Sequence, residues 1–213
     1  MDFEEKRKEL AESLKRKGIL ESEQVIDAML KVPREKFLPE NSRASAYVDS
    51  PLSIGKGQTI SAPHMNAMMC EKLNLEEGEK VLEVGTGSGY HAALCAEIVA
   101  PSGHIYSIER HEKLANQARE NLEQAGYDDI VTVIVGDGTK GYEEKAPYDK
   151  ILVTAASPKE VPQPLKDQLA DGGIICIPVG SKTFGQKLIL VKRIGDKFET
   201  EKITSVRFVP LVG

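Results

Sequence analysis

Residues 80–91 read KVLEVGTGSGYH, an order of residues able to hold a nucleotide-like ligand against bare backbone. Gly85, Gly87 and Gly89 alternate with the hydroxyl residues Thr86 and Ser88, after a β-branched run and before the apolar stretch HAALCAEIVA. A glycine turn between strand and helix lets a ligand reach backbone N–H groups that a side chain would screen, and allows positive φ. Spacing then selects the ligand. The dinucleotide fingerprint G-x-G-x-x-G serves a pyrophosphate. Here the glycines run G-T-G-S-G, Tyr90 follows, and Glu83 sets a carboxylate two residues ahead of the loop. That carboxylate would repel a pyrophosphate and suits a phosphate-free ligand with a cationic amino group.

Further carboxylates fall where such a ligand needs them. Glu109 ends the run HIYSIE, about 20 residues beyond the loop, where an acid accepts both hydroxyls of a ribose. Arg110 follows it, and an ion pair of Glu109 with Arg110 or Lys113 is the competing reading. Asp137 stands in G-D-G after the third core strand, placed to accept an adenine amino group, with Gly138 leaving the backbone bare for the ring. An Asx turn or helix cap is its alternative. Ser61 precedes Ala62-Pro63 and reads as an N-cap. His64, His91, His104 and His111 show no metal-ligand spacing and read as solvent-facing or capping, with His64 notable for adjoining Ser61.

The elements that must position these residues are legible in the pattern. Residues 4–17 and 22–31 read as helices, the first charged and ended by Gly18. Residues 33–60 are punctuated by prolines and glycines, and a long ordered loop of that kind usually serves function. Residues 63–73 read as a helix. Strands are expected at 80–84, 104–109, 130–135, 150–155 and 174–180, with helices at 89–99, 112–125 and 162–170. Two further strands flank Gly195-Asp196, a hairpin signal. Strands alternating with helices give an α/β fold: a Rossmann-like, doubly wound, mostly parallel sheet with helices on both faces, a C-terminal antiparallel hairpin and an N-terminal helical segment. At 213 residues one domain over 1–213 is expected, with a helical and loop segment at 1–60 and the α/β core at 61–213.

Composition excludes several classes. A net charge of −5 offers no basic excess for nucleic acid. No run approaches the roughly 18 apolar residues of a membrane helix, and the N-terminus MDFEEKRKEL is no apolar signal region. Cys70, Cys95 and Cys176 lie far apart in sequence without C-x-x-C, so neither a disulfide nor a cysteine-ligated zinc site is expected, and no metal. Free thiols suit a reducing, cytoplasmic compartment.

The E-x-G-x-G-x-G run resembles motif I of the class I S-adenosylmethionine-dependent methyltransferases. The segment IGKGQTISAPHMNAMM at 54–69 resembles the signature of the protein L-isoaspartyl (D-aspartyl) O-methyltransferase family. VLEVGTGSGYHAAL, IYSIER, GDGTKGY, APYDKILVTAA, LADGGIICIPVG and VRFVPLVG agree in order, so the resemblance runs from about residue 30 onward. It implies S-adenosyl-L-methionine as cofactor and isoaspartyl-containing proteins and peptides as partners. The acceptor would be the isoaspartyl α-carboxylate, and the methyl ester formed would collapse through a succinimide. It implies that Ser61 is the active-site residue, and that Thr59, Ile60 and Ala62 line the cofactor and the isoaspartyl group. It also implies a C-terminal strand over Val206–Val212, with Val209, Leu211 and Val212, that binds the substrate backbone beside His64. Asn66 departs from the family's histidine, and the sequence stops soon after VPLVG. A monomer is expected, since bulky substrates need access. Readings that remain open are a methyltransferase for RNA or a small molecule, a nicotinamide dehydrogenase, and a non-catalytic binding module.

Overall fold

The computed structural model describes residues 2–181 and 183–213. Two helices open the chain, α1 (Phe3–Arg16) and α2 (Glu23–Lys31). Asp2 caps α1 by accepting from Glu5 N at 3.1 Å, glutamates occupy its first turn, and Lys15 and Arg16 its last, all matched to the helix dipole. The irregular stretch that follows holds two 3-10 turns, Arg34–Phe37 and Glu40–Ser45, and then a small antiparallel ribbon of β1 (Leu52–Gly55) and β2 (Gln58–Ile60). A part-buried anchor ties this stretch to the N-terminal helices. Arg7 donates to Tyr47 Oη and to the Leu30 carbonyl, and Tyr47 donates to Glu35.

The core then alternates α3 (Pro63–Leu73), β3 (Lys80–Val84), α4 (Tyr90–Val99), β4 (His104–Glu109), α5 (Glu112–Ala125), β5 (Val131–Val135), β6 (Tyr148–Val153), α6 (Gln163–Asp167) and β7 (Leu169–Ser181). It ends in β8 (Gly185–Ile194) and β9 (Lys197–Val206). The seven-stranded sheet has the order β5-β4-β3-β6-β7-β8-β9. The first four pairings are parallel, and β7-β8 and β8-β9 are antiparallel. The strand order reverses between β3 and β6, so the carboxyl ends of those strands flank the crevice where such sheets bind ligands.

The two faces are covered unequally. One core cluster packs α1 to α5 against Val81, Ile105, Val133, Leu152 and Cys176. The other packs α6 and nearby turns against Leu82, Val84, Ile151, Val153 and Ile175. The alternation of these strand residues between clusters is the period-two pattern of a sheet buried on both sides. The hairpin at Gly195-Asp196 forms as expected, with Ile194 opposite Lys197.

Most expected boundaries hold to within a residue or two, and three readings differ in substance. The helix expected at 162–170 stops at Asp167, because Leu169 already pairs with Tyr148 and draws residues 169–173 into β7. Ser61 is not the cap of α3. Ala62 holds that position without a side-chain bond, and the His64 N–H is capped from a distance by Asp49 Oδ1 at 2.9 Å. The last strand ends at Val206, so the expected strand over Val206–Val212 is absent. There the chain leaves the sheet and crosses the carboxyl ends of the strands, held by Ala156 N to Val209 O and Leu211 N to Ala156 O, both 2.8 Å.

Candidate active site

A cleft of about 180 Å³ lies at the switch point, walled by Val84 at the end of β3, Gly85 and Gly87 from the glycine turn, Ile108, Glu109 and Arg110 from the end of β4 and just beyond it, and residues 209–212. Beside it runs an open groove between Pro51, Ser61, Ala62, His64 and Met65 on one side and residues 205–209 on the other. Thr59, Thr154 and Val209 line both. The two spaces therefore meet at these residues, one turn of chain from Ser61.

The three glycines of the turn serve three purposes. Gly85 has φ +98°, and a Cβ there would fall 2.3 Å from Thr154 Oγ1, which bonds the Val84 and Gly85 carbonyls. Its bareness thus admits β6, while Gly87 lines the cleft. Gly89, expected to touch the ligand, faces Leu122 of α5, where a Cβ would come within 3.2 Å of Leu122 Cγ, a tight contact. Thr86 and Ser88 are buried and line a small recess between the turn and residues 59–61. Thr86 Oγ1 lies 2.6 Å from Ser107 Oγ, and Asn121 donates to the Ser88 carbonyl.

The two strand-end glutamates separate. Glu109 accepts from Gly87 N and His111 N, each at 3.0 Å, one on each carboxylate oxygen, and makes neither of the competing ion pairs. Each oxygen keeps a lone pair for a further donor on the cleft side, which fits the two hydroxyls of a ribose. Glu83 does not reach the cleft, contrary to expectation. It is fully buried beneath the turn, accepts from Ser107 Oγ at 2.5 Å, and leaves Oε1 without a partner among the described residues. Burial pushes its carboxyl up to about 7, although His91 and the Ser107 hydroxyl pull the other way. The reason is the pleat: Glu83 is on the opposite side of β3 from Val84, which does line the cleft.

Asp137 adopts the alternative reading. Its Oδ1 accepts from Thr139 N and Oγ1, which holds the carboxyl below the usual carboxylate range, and its Oδ2 lies against Gly213. Gly138 lines the cleft and Asp137 does not. Leu211 and Val212, expected on the substrate, line the cleft and not the open groove, because the tail crosses the strand ends rather than extending β9. Ile60 packs into the core and lines the small recess, Thr59 lines both cleft and groove, and Ala62 faces the groove.

The acceptor side holds what sequence reasoning missed. Arg34 is fully buried, and its guanidinium donates to Ala46 O at 2.8 Å, Ser61 O at 2.7 Å and Asn66 Oδ1 at 3.2 Å while lying 4.9 Å from the Tyr90 ring centre. Among the described residues no carboxylate is bonded to it. Holding Ser61 by its carbonyl leaves the hydroxyl uncommitted. Asn66 thereby has a structural task, as acceptor for that cation. Asp49 accepts from His64 N and lies 2.8 Å from His64 Nδ1, and although burial opposes it, these contacts hold its carboxyl below the ordinary value. The signal for Arg34 and Asp49 was the long ordered stretch itself.

His91 is neither exposed nor a cap. It is buried with Cys70 and Cys95, so two of the three thiols expected to lie apart are neighbours. The spacing His91-x-x-x-Cys95 on one helix was the overlooked sign.

Comparisons with known proteins agree with this geometry. A family model described as Protein-L-isoaspartate(D-aspartate) O-methyltransferase (PCMT) matches residues 5–213. A Hyperthermus butylicus protein-L-isoaspartate O-methyltransferase is 56% identical over 218 residues, covering 99% of this chain and 90% of its own. An Archaeoglobus fulgidus relative named protein-L-isoaspartate O-methyltransferase 2 is 56% identical over 214 residues, covering 100% and 95%. Among solved structures, a protein-L-isoaspartate O-methyltransferase superposes with TM-score 0.88 at 33% identity, covering 97% of this chain and 66% of that one. A Plasmodium falciparum protein of the same description, in complex with S-adenosyl-L-homocysteine, gives 0.86 at 31% identity, with coverage of 97% and 98%. With the crevice, the glycine turn and Ser61 assembled at one end of the sheet, and the family model spanning nearly all of its length, the chain belongs to the protein-L-isoaspartate (D-aspartate) O-methyltransferase family.

Proposed function

We propose that this chain is an S-adenosyl-L-methionine-dependent O-methyltransferase that esterifies the α-carboxylate of L-isoaspartyl residues in damaged proteins and peptides, the first step of their repair. The observation that carries this reading is the meeting of the cleft and the groove at Thr59, Thr154 and Val209, beside Ser61. When bound, S-adenosyl-L-methionine supplies a methyl carbon already activated by its sulfonium.

Residues of this chain hold the two reactants. Glu109 would accept ribose hydroxyls, Gly87 and Gly138 would offer bare backbone, and Val84, Ile108 and Leu211 would pack the adenosine. A carboxylate with a reference pKa near 4 is ionised at neutral pH, so no general base is needed. That agrees with the described hydrogen bonds of the groove, in which His64 is tied to Asp49 and not to the Ser61 hydroxyl. The Ser61 hydroxyl would donate to one acceptor oxygen and aim the other. Arg34 stands behind Ser61 with a peptide group between them, so its charge draws an anion into the groove without gripping it. Direct contact with a cation would stabilise the ground-state carboxylate and slow its attack. Met65, Phe208 and Val209 give the groove apolar walls that displace water, and positioning of this kind can be worth about 7–11 kcal/mol.

The open groove and the shared core cluster support a single domain over 1–213 acting as a monomer, and buried free thiols suit a cytoplasmic setting. No helix among the described residues is long and apolar enough to cross a membrane. The deciding experiment incubates the protein with methyl-labelled cofactor and matched isoaspartyl and aspartyl peptides. Base-labile methyl ester on the isoaspartyl peptide alone is expected. Equal labelling of both peptides, or label in RNA, would reject the acceptor. Light scattering in the same buffer tests the monomer.

A further inference from the structure

The core contains a second constellation outside the cleft. Cys70 lies on α3, and His91 and Cys95 lie one turn apart on α4, so the two α4 side chains leave the same face of that helix. All three are buried, and one ligand atom of each lies within 4.8 Å of the other two. Cys70 Sγ is 3.4 Å from His91 Nε2. A tetrahedral Zn²⁺ with bonds of about 2.3 Å to sulfur and about 2.0 Å to nitrogen sets those atoms about 3.5 Å apart. We propose that Cys70, His91 and Cys95 bind one Zn²⁺ ion, with its fourth position taken by an oxygen donor from the recess side.

Charge and access agree with the geometry. The thiolate is the ligating form, and Cys70 Sγ already faces His91 Nε2 across 3.4 Å with Cys95 alongside. Metal binding displaces the protons of both thiols and uses the lone pair on His91 Nε2. Two thiolates and one neutral imidazole around Zn²⁺ make an uncharged unit, which a buried site can hold without a net-charge penalty. His91 also lines the recess between the glycine turn and Ser61, which provides an entry path. Beside the cluster, Glu83 Oε1 and His91 Nδ1 are buried without partners among the described residues, so the region has polar capacity that the metal-free arrangement does not use. The ion would tie α3, which begins just after Ser61, to α4, which begins at the glycine turn. This assignment is independent of which acceptor is methylated.

The test uses the full chain, reduced, treated with chelator and then offered Zn²⁺ or Co²⁺. Uptake of one Zn²⁺ per chain is expected, with a higher unfolding temperature, and Co²⁺ should give a sulfur-to-cobalt charge-transfer band. Cys70→Ala and Cys95→Ala should each lose that band, with circular dichroism reporting whether they fold. The proposal is overturned if the folded wild-type chain takes up no Zn²⁺ and shows no band with Co²⁺, a result that needs no variant. It is equally overturned if the double variant keeps both signals, or if Cys70 and Cys95 form a disulfide in protein prepared under reductant.

Discussion

On the reading proposed above, the cofactor wall and the acceptor wall of this crevice are built in opposite ways. The cofactor wall comes from neighbouring segments of chain: the turn between β3 and α4, and the end of β4, joined by Gly87 N to Glu109. The acceptor wall is assembled from afar. Arg34 gathers Ala46, Ser61 and Asn66, which lie 12, 27 and 32 residues away in sequence, and the tail beyond β9 closes the other side. The charges are opposite as well. The cleft proposed for a cationic donor presents the Glu109 carboxylate, and the groove proposed for an anionic acceptor is backed by the buried Arg34 guanidinium. A local motif can specify a common ligand, whereas the site for an uncommon acceptor needs long-range packing to hold one serine in place.

Substitutions should separate the two walls, and the largest effect is expected at Arg34. Arg34→Met leaves the carbonyls of Ala46 and Ser61 and the Asn66 amide buried without a donor, so denaturant unfolding should show a loss of about 3 kcal/mol or more. The folded fraction should still bind cofactor with near wild-type affinity, and a comparable loss of affinity would break the contrast. Next comes Glu109→Ala. Losing charged acceptors for two hydroxyls should weaken cofactor binding about 10- to 100-fold by calorimetry, with turnover at saturation far less affected. Asp137→Ala should weaken it less, since that carboxylate caps a turn and faces Gly213. Ser61→Ala should lower turnover about 10-fold while leaving cofactor affinity unchanged. Lost affinity with unchanged turnover at saturation would remove Ser61 from the acceptor wall.

The smallest effect is expected at Asp49. Its carboxyl is held below the ordinary value in the folded state, so the unfolded chain binds more protons there. The stability it contributes is present above the unfolded carboxylate range and is lost as pH falls below about 4. Asp49→Asn should therefore lower the unfolding temperature by a few degrees at neutral pH, and the gap should close on acidification. A gap that widened in acid would show that Asp49 does not act through its ionised form.

Legibility followed the same division. The strands, the helices and the hairpin at Gly195-Asp196 could be read in place because apolar periodicity and turn residues are local signals. The glycine turn and Glu109 were found for the same reason. Glu83 could be read as a carboxylate ahead of the turn, but not as one buried away from the cleft, since spacing along a strand does not say which face meets solvent. The assignment of Val206–Val212 to a strand failed because an extended apolar run looks the same whether it pairs in the sheet or crosses its end. Arg34 escaped notice because nothing in V-P-R-E distinguishes a surface arginine from a buried one.

Taken alone, the order of amino acids determined the α/β alternation, the phosphate-free nucleotide turn and the kind of chemistry, all of which depend on residues within a few positions of one another. Tertiary structure decided which carboxylate faces the crevice, what holds Ser61, and that Cys70 meets His91 and Cys95. Those outcomes rest on pairings between segments dozens of residues apart, settled by the burial of two sheet faces rather than by any neighbour in sequence.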